Sequence, residues 1–207
     1  MLVPSADEII ELILAERRRL GALLPELTAE QWSTPSLCGG WRVRDVVGHL
    51  VVAMASDRRR VGAAMLRAGG NFHRAMDREA RVEADATTAE LIERFDAVKE
   101  SVNPPPLLGP PAPLTDIVVH TQDIAVPTGL GVAPDSAALR VALEFRTSNR
   151  LARTFGGTVP RHTRLVADDV GWEWTSGRPE RTVRGPGLAL LLHLTGRPAR
   201  DGDLTFE

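Results

Sequence analysis

The sequence predicts an α+β protein, mainly α, in which a four-helix bundle is followed by a small α/β domain. The first observation is a set of capping boxes, in which Ser or Thr precedes Glu or Gln by three residues, at Ser5, Thr28 and Thr87. The second is a change of pattern after Gly131, where short β-like segments become frequent. We therefore predict two domains, a helix bundle over residues 1–130 and a small C-terminal domain over 131–207.

The first helices follow directly from the capping boxes. The helix after Ser5 carries apolar residues on one face, and Glu16 lies on that same face. We interpret Glu16 as a carboxylate at the end of the core that reaches solvent, because glutamate is rarely fully buried unless it is paired. The alternative is a polar group that points into a cavity of the bundle. A second long helix is predicted from about Trp41 past Met54.

The remaining bundle helices lie on either side of a proline-rich segment. The third capping box begins a helix with apolar residues at regular helical spacing. Six prolines lie between Pro104 and Pro113, and they predict a stiff, extended connector because proline cannot continue a helix. The helix after this connector carries Asp116 and His120 and ends near residues 127–129.

The C-terminal domain is predicted from shorter segments. A helix begins at Pro134-Asp135 and continues to about Phe155. The predicted strands are 163–167, 171–175, 181–184 and 204–206, and a short helix covers 188–194. Trp172 and Trp174 alternate with Glu173 and therefore face one side of a strand, where we expect them to pack in the core.

Composition and charge exclude several classes of function. The net charge is −2 and the pI is near 6.2, so the sequence shows no basic footprint and we do not expect nucleic-acid binding. The single cysteine, Cys38, allows no disulfide within the chain and fits a reducing compartment. The sequence shows no signal peptide and no apolar stretch long enough to span a membrane. We expect a cytoplasmic protein, monomeric or homodimeric, that does not bind membranes.

Three polar residues form a stripe on the helix after the proline-rich segment. Asp116, His120 and Asp123 are spaced i, i+4 and i+7, which places them on one face. With His49 from the earlier helix, Asp116 and His120 offer two nitrogens and one oxygen, a ligand set that suits zinc and also nickel, iron or manganese. Three protein ligands leave at least one position open. The alternatives are an exposed Asp–His pair and a structural His49.

Neighbouring polar residues have two interpretations each. Asp123 is better placed to orient an imidazole than to bind the metal, and Asp45 either orients His49 or is half of a solvated ion pair. Residues 58–60, three arginines, are interpreted as a solvated helix face, and His73 as a surface histidine. Cys38 lies in a Gly-flanked loop without a nearby His or Lys in the sequence, so we do not assign it as a nucleophile.

The motifs that contain these residues resemble a known family. Residues 32–50 read W-x-x-P-S-x-C-x-G-W-x-V-x-D-V-x-x-H-L, and residues 116–124 read D-x-x-x-H-x-Q-D-I. Together they resemble the mycothiol-dependent maleylpyruvate isomerase family, within the DinB-like metal-binding four-helix bundles. The tail, GPGLALLLHLTGR over residues 185–197, resembles the small C-terminal domain that many members carry. The resemblance covers most of the chain.

The resemblance implies a metal centre and a thiol cofactor. The family's ligand positions correspond to His49, Asp116 and His120, and the implied cofactors are a divalent metal, zinc or alternatively nickel, and mycothiol. The thiolate would add to an activated double bond of a small electrophilic substrate, allow rotation about the resulting single bond, and leave. Family members usually have Glu where this chain has Asp116, so the metal preference and occupancy stay open. Arg197 resembles the family's C-terminal arginine that supports the thiol site; the alternative is a helix-ending arginine.

Three hypotheses follow for function. The first is a metal- and mycothiol-dependent isomerase or S-transferase that acts on a small electrophile, similar to maleylpyruvate isomerase. The second is a non-catalytic metal-binding or stress-related DinB-like protein, which the departure at Asp116 favours. The third is an interaction partner with a vestigial site, which the same departure at Asp116 also favours.

Overall fold

The computed structural model describes residues 4–55, 57–105, 107–149, 151–152, 156–198 and 202–207. The fold is α+β and mainly α, a helical bundle with a small α/β C-terminal part, which confirms the predicted class. The helices are α1 (Ala6–Leu23), α2 (Ala29–Ser33), α3 (Val43–Ala55), α4 (Arg58–Arg67), α5 (Phe72–Ala84), α6 (Thr88–Val98), α7 (Pro111–Thr128), α8 (Ser136–Ser148) and α9 (Gly187–Leu194). The strands are β1 (Thr163–Ala167), β2 (Trp172–Thr175), β3 (Arg181–Gly185) and β4 (Thr205–Phe206). Within the described residues, every helix is too short or too polar to cross a membrane.

The predicted capping boxes begin α1, α2 and α6. The Thr28 hydroxyl accepts the Gln31 N–H, while the Gln31 side chain accepts the Thr28 N–H. Thr87 and Glu90 repeat the arrangement at α6. Each box satisfies two backbone donors that have no partner within the helix. These helix starts could therefore be predicted from local sequence alone.

The helix α7 begins earlier than the prolines suggested. It starts at Pro111, so Pro111 and Pro113 lie in its first turn and the extended connector is shorter than predicted. The first-turn N–H groups of a helix have no intrahelical acceptor, so proline loses nothing there and its fixed φ suits the helix. The predicted helix after Pro134 is α8, which ends at Ser148; residues 153–155 of that prediction lie outside the described part of the chain.

Contacts divide the chain into two compact units, and the division passes through the continuous helices α1 and α7. One unit comprises Arg17–Asn103 and His120–Val132, and the other comprises Met1–Glu16, Pro104–Val119 and Ala133–Glu207. The predicted domain boundary between residues 130 and 131 stays a prediction.

In the unit of residues 17–103 and 120–132, α3 packs against α5 and α6. The helices α3 and α5 approach each other closely at Gly48, where a Cβ atom would lie 2.5 Å from the Ala80 carbonyl oxygen and 3.1 Å from the Ala84 nitrogen. These neighbours are backbone atoms, which cannot move aside as a flexible side chain would. The absence of a side chain at Gly48 therefore sets the separation of α3 and α5.

The same unit contains an ion cluster around Arg60 that corrects the prediction of a solvated arginine face. Arg60 binds Glu79 at 2.6 Å and Glu83 at 2.8 Å, and Arg94 binds the other oxygen of Glu83 at 2.8 Å. The two glutamates are 8% and 6% exposed. Burial opposes the charged form of Glu83, but hydrogen bonds from Arg94 and Arg60 hold its pKa below the ordinary value. Arg60 thus neutralises buried charge and is not simply solvated.

Replacing Arg60 is therefore expected to destabilise the protein. Arg60→Ala leaves two buried carboxylates with fewer donors, and the free energy of unfolding should fall by about 1–3 kcal/mol in urea titrations at pH 7. The matched control is Arg59→Ala, because Arg59 is exposed on the same helix and should change stability little. The contribution is present where Glu83 is charged and is lost as the pH falls through its lowered pKa. Equal stability of the two variants would contradict a stabilising role for the cluster.

The other unit holds the sheet, in the order β2-β1-β3-β4. The strand β1 pairs antiparallel with β2 and parallel with β3, which pairs antiparallel with β4. The helix α9 contacts β1, β3 and α8. Trp172 is buried, as predicted, and its indole N–H donates to Glu144 at 3.2 Å, whereas Trp174 is only half-buried. Arg146 on α8 is also buried and donates to the carbonyl of Leu194 at the end of α9.

Glu16 in this unit is buried, so the prediction that it reaches solvent is wrong. It is 1% exposed, and its carboxylate accepts the backbone N–H of Asp135 at 2.8 Å. A charged acceptor compensates part of the cost of desolvation when it receives a backbone hydrogen bond. Since Asp135 is also the N-cap of α8, Glu16 fixes the start of that helix.

Candidate metal centre

Two histidines from different helices form the centre of the candidate site. His49 lies on α3 and His120 on α7, and their ring centroids are 4.8 Å apart with the planes inclined by 63°. His120 is 7% exposed and His49 is half-buried. Two imidazoles this close are suited to bind one ion because each offers a nitrogen ligand.

Asp116 lies one turn before His120 on the same continuous helix. One potential ligand atom from each of His49, Asp116 and His120 lies within 4.8 Å of the others. Two ligands about 2.1 Å from a tetrahedral ion are about 3.4 Å apart, so a pair of ligand atoms must approach by up to about 1.4 Å, or about 0.7 Å for each side chain. The donor set of two nitrogens and one oxygen fits a borderline divalent ion such as zinc or nickel. The residues present therefore fit a three-ligand metal site with an open position.

Asp123 orients His120, as the sequence predicted. The His120 Nδ1 and the Asp123 Oδ2 are 2.8 Å apart, and Asp123 is completely buried. The backbone carbonyl of Asp123 also accepts the Leu37 N–H at 3.3 Å from the loop before α3. A carboxylate on one ring nitrogen fixes the ring orientation and leaves the other nitrogen, Nε2, for an ion.

Asp45 forms an ion pair with Arg42, as one interpretation predicted, but its carboxylate is buried and not solvated. Its oxygens accept the Arg42 backbone N–H at 2.8 Å and two guanidinium N–H groups at 3.0 Å each. Asp45 is 0% exposed, whereas the Arg42 side chain is 47% exposed. Burial acts against the charged form, but the hydrogen bonds from Arg42 prevail and hold the pKa of Asp45 below its ordinary value. Asp45 therefore fixes the start of α3 and is not the partner that orients His49.

Sequence reasoning missed Trp41. Its indole centroid is 5.2 Å from the His49 ring and 6.2 Å from the His120 ring. Trp41 precedes the first residue of α3, so helical spacing within that helix could not relate it to His49. A tryptophan next to a glycine turn, Gly39-Gly40, was the only local signal.

The other residues singled out from the sequence have clear environments. His73 is exposed, as predicted, and Cys38 is half-buried in the loop before α3, where its N–H donates to Ser36. Arg197 follows α9 and is half-buried; its N–H donates to the Leu192 carbonyl and its guanidinium to the Thr195 carbonyl. These contacts fit a helix-ending arginine, and its role toward a thiol stays a prediction.

Fold and site define a helical-bundle protein with a His–Asp–His candidate metal centre. Residues 13–125, more than half of the chain, match the family described as the Mycothiol maleylpyruvate isomerase N-terminal domain. The chain therefore belongs to this family, and the resemblance noted in the sequence is confirmed.

Two solved structures have the same fold. One is the crystal structure of the mycothiol-dependent maleylpyruvate isomerase, with a TM-score of 0.62, and the other is a variant of it with one histidine replaced by alanine, with a TM-score of 0.60. Each is 13% identical in sequence, and each alignment covers 99% of this chain and 93% of the other. At this identity the similarity establishes the fold alone. No curated protein matches the chain.

Proposed function

We propose that this protein is a divalent-metal-dependent enzyme that uses mycothiol either to isomerise a small electrophile or, as an S-transferase, to join the whole thiol to it. The observation that carries the proposal is the grouping of His49, Asp116 and His120 within 4.8 Å. Membership of the family supports it, as does the fold shared with a mycothiol-dependent maleylpyruvate isomerase.

In this proposal three side chains hold the ion, which is zinc or alternatively nickel. His49 and His120 supply nitrogens, and Asp116 supplies an oxygen that neutralises part of the positive charge. Asp123 holds the His120 ring in place from the opposite nitrogen, at 2.8 Å. When bound, the ion supplies an open coordination position that favours the thiolate form of a thiol.

Other parts of the chain have proposed roles in binding the thiol and the substrate. Arg197 is proposed to bind the thiol cofactor through its guanidinium, which is always charged at neutral pH. We also propose that residues 1–130 bind the metal and that residues 131–207 form the small C-terminal domain. The proposed substrate is a small molecule with an activated double bond, and maleylpyruvate is the first candidate to test.

Thiol binding to the metal-loaded protein is expected to release a proton. The thiolate form is favoured at the open position, so affinity for the thiol should rise with pH below the thiol's own pKa. Calorimetry of mycothiol binding in buffers of different ionisation enthalpy measures the released proton. The control ligand is the S-methylated thiol, which has no proton to release.

Metal binding and thiol binding are expected to depend on different residues. Arg197→Ala should weaken thiol binding and leave metal content unchanged, while Arg178→Ala, at an exposed arginine of the same unit, should change neither. Identical thiol binding by metal-free and metal-loaded protein, or binding without proton release, would favour a non-catalytic metal-binding bundle.

A further inference from the structure

Trp41 packs against both candidate histidine ligands. The three rings of Trp41, His49 and His120 have centroid separations of 4.8, 5.2 and 6.2 Å, within the range of favourable aromatic contacts. The plane of Trp41 is inclined by 29° to that of His120 and by 41° to that of His49. The indole therefore lies beside both imidazoles, and a change in the orientation of either ring would change its contact with Trp41.

A hydrogen-bonded circuit holds the indole in this position. The Trp41 Nε1–H donates to the Asp77 Oδ1 at 2.7 Å, and the same oxygen accepts the Arg81 Nε–H at 3.0 Å. The Arg81 Nη2 then donates to the carbonyl of Gly40 at 2.8 Å, which closes the circuit next to Trp41. Gly40 has φ +82°, a conformation that favours glycine. The loop before α3 is thus joined to α5 at two points.

The exposure of these residues argues against a purely structural core contact. Trp41 is only half-buried, and the Asp77 and Arg81 side chains are 46% and 47% exposed. An exposed ion pair of this kind contributes little to global stability, roughly 0–1 kcal/mol. The geometric restraint that it places on Trp41 is therefore a more substantial consequence than its stabilising energy.

We infer that Trp41, held by Asp77, is a positioning residue for the two imidazoles of the metal centre. The inference rests on the proposed function in one respect, that His49 and His120 bind a metal. Trp41 restricts the ring orientations from one side, as Asp123 restricts His120 through Nδ1. Groups that orient metal ligands typically contribute about 10–100-fold to affinity.

The first test compares the Zn²⁺ affinities of the wild-type protein and its variants under conditions in which all of them are fully folded. Asp77→Ala removes the acceptor and should raise the Kd for Zn²⁺ by about 10-fold, and Trp41→Ala should raise it by up to about 100-fold. Asp77→Asn keeps an oxygen that accepts the indole N–H, so it should retain the wild-type Kd. The matched control is Asp96→Ala, which removes an α6 carboxylate that is 47% exposed and paired with Lys99. This variant should leave the Kd unchanged.

The second test uses the indole itself as the probe. Ni²⁺ quenches tryptophan fluorescence at short range, so titration of the full-length protein should show saturable quenching. Trp41→Phe should abolish that component, and Trp174→Phe, at a half-buried tryptophan in the other unit, should preserve it. In Asp77→Ala the midpoint of quenching should move to about 10-fold higher Ni²⁺.

The outcomes separate this inference from the proposed function. Wild-type protein that binds neither Zn²⁺ nor Ni²⁺ overturns the proposed metal centre and the inference with it. Wild-type binding that persists with the same Kd in Asp77→Ala and Trp41→Ala overturns the positioning role and leaves the metal centre in place. Equal loss in Asp77→Asn and Asp77→Ala also overturns it, because the indole hydrogen bond would then not be the restraint.

Discussion

His120→Ala is expected to abolish metal binding, whereas Asp123→Ala should only weaken it. His120 is the most buried of the three proposed ligands, and its loss leaves two ligands on separate helices. Asp123 contacts the ring at Nδ1, so its removal frees the ring orientation but keeps the ligand nitrogen. The expected loss for Asp123→Ala is about 10–100-fold in affinity. Equilibrium dialysis with Zn²⁺, followed by metal analysis, measures both.

Replacement of a histidine outside the site is the control for a general effect of removing an imidazole. His73 is exposed on α5, and His73→Ala should keep full stoichiometry and affinity. Complete loss in both His120→Ala and Asp123→Ala would show that Asp123 itself binds the ion. Full binding by His120→Ala would place the metal elsewhere and contradict the proposed centre.

The candidate site could be predicted from the sequence because most of it depends on local spacing. Asp116, His120 and Asp123 share one helix, so a period of 3.6 residues places them on one face. His120 and Asp123, which contact each other, are only three positions apart in the sequence. His49 could be assigned only with the help of the family resemblance, since it is 71 positions from His120.

The predictions that failed concern buried charges with distant partners. The acceptor role of Glu16 joins residues 119 positions apart, and Arg60 reaches Glu79 across 19 positions. Local sequence shows an acidic residue on an apolar face and a run of arginines but does not show which groups will neutralise them. Charged residues of this kind are usually exposed to solvent, but here they are paired with groups that are distant in the sequence.

The backbone contact between α3 and α5 links the fold to the candidate site. Gly48 directly precedes His49, and a Cβ atom at Gly48 would overlap the Ala80 carbonyl oxygen at 2.5 Å. The same helix α5 supplies Asp77, which holds Trp41. A change in the separation of α3 and α5 should therefore move both His49 and the indole that packs against it.

Gly48→Ala and Gly62→Ala are accordingly expected to have opposite effects. Within the described part of the chain, a Cβ built at Gly62, on the exposed face of α4, would have no atom within 4 Å beyond its chain neighbours and the backbone of its own helix. There alanine should raise the free energy of unfolding by up to about 1 kcal/mol through helix propensity. At Gly48 the same gain is outweighed by overpacking against the α5 backbone, which typically lowers the free energy of unfolding by about 1–3 kcal/mol. The larger side chain of Gly48→Leu should bring the loss to the upper end of that range.

The metal-binding measurement completes this comparison. Because His49 must move with α3, Gly48→Ala should also weaken Zn²⁺ binding, while Gly62→Ala keeps the wild-type Kd. Urea unfolding of the metal-free proteins gives the stability change, and dialysis below the unfolding transition gives the Kd. A Gly48→Ala protein as stable as Gly62→Ala would show that α5 yields easily at this point. Unchanged zinc affinity in a destabilised Gly48→Ala protein would show that His49 does not depend on the contact between α3 and α5.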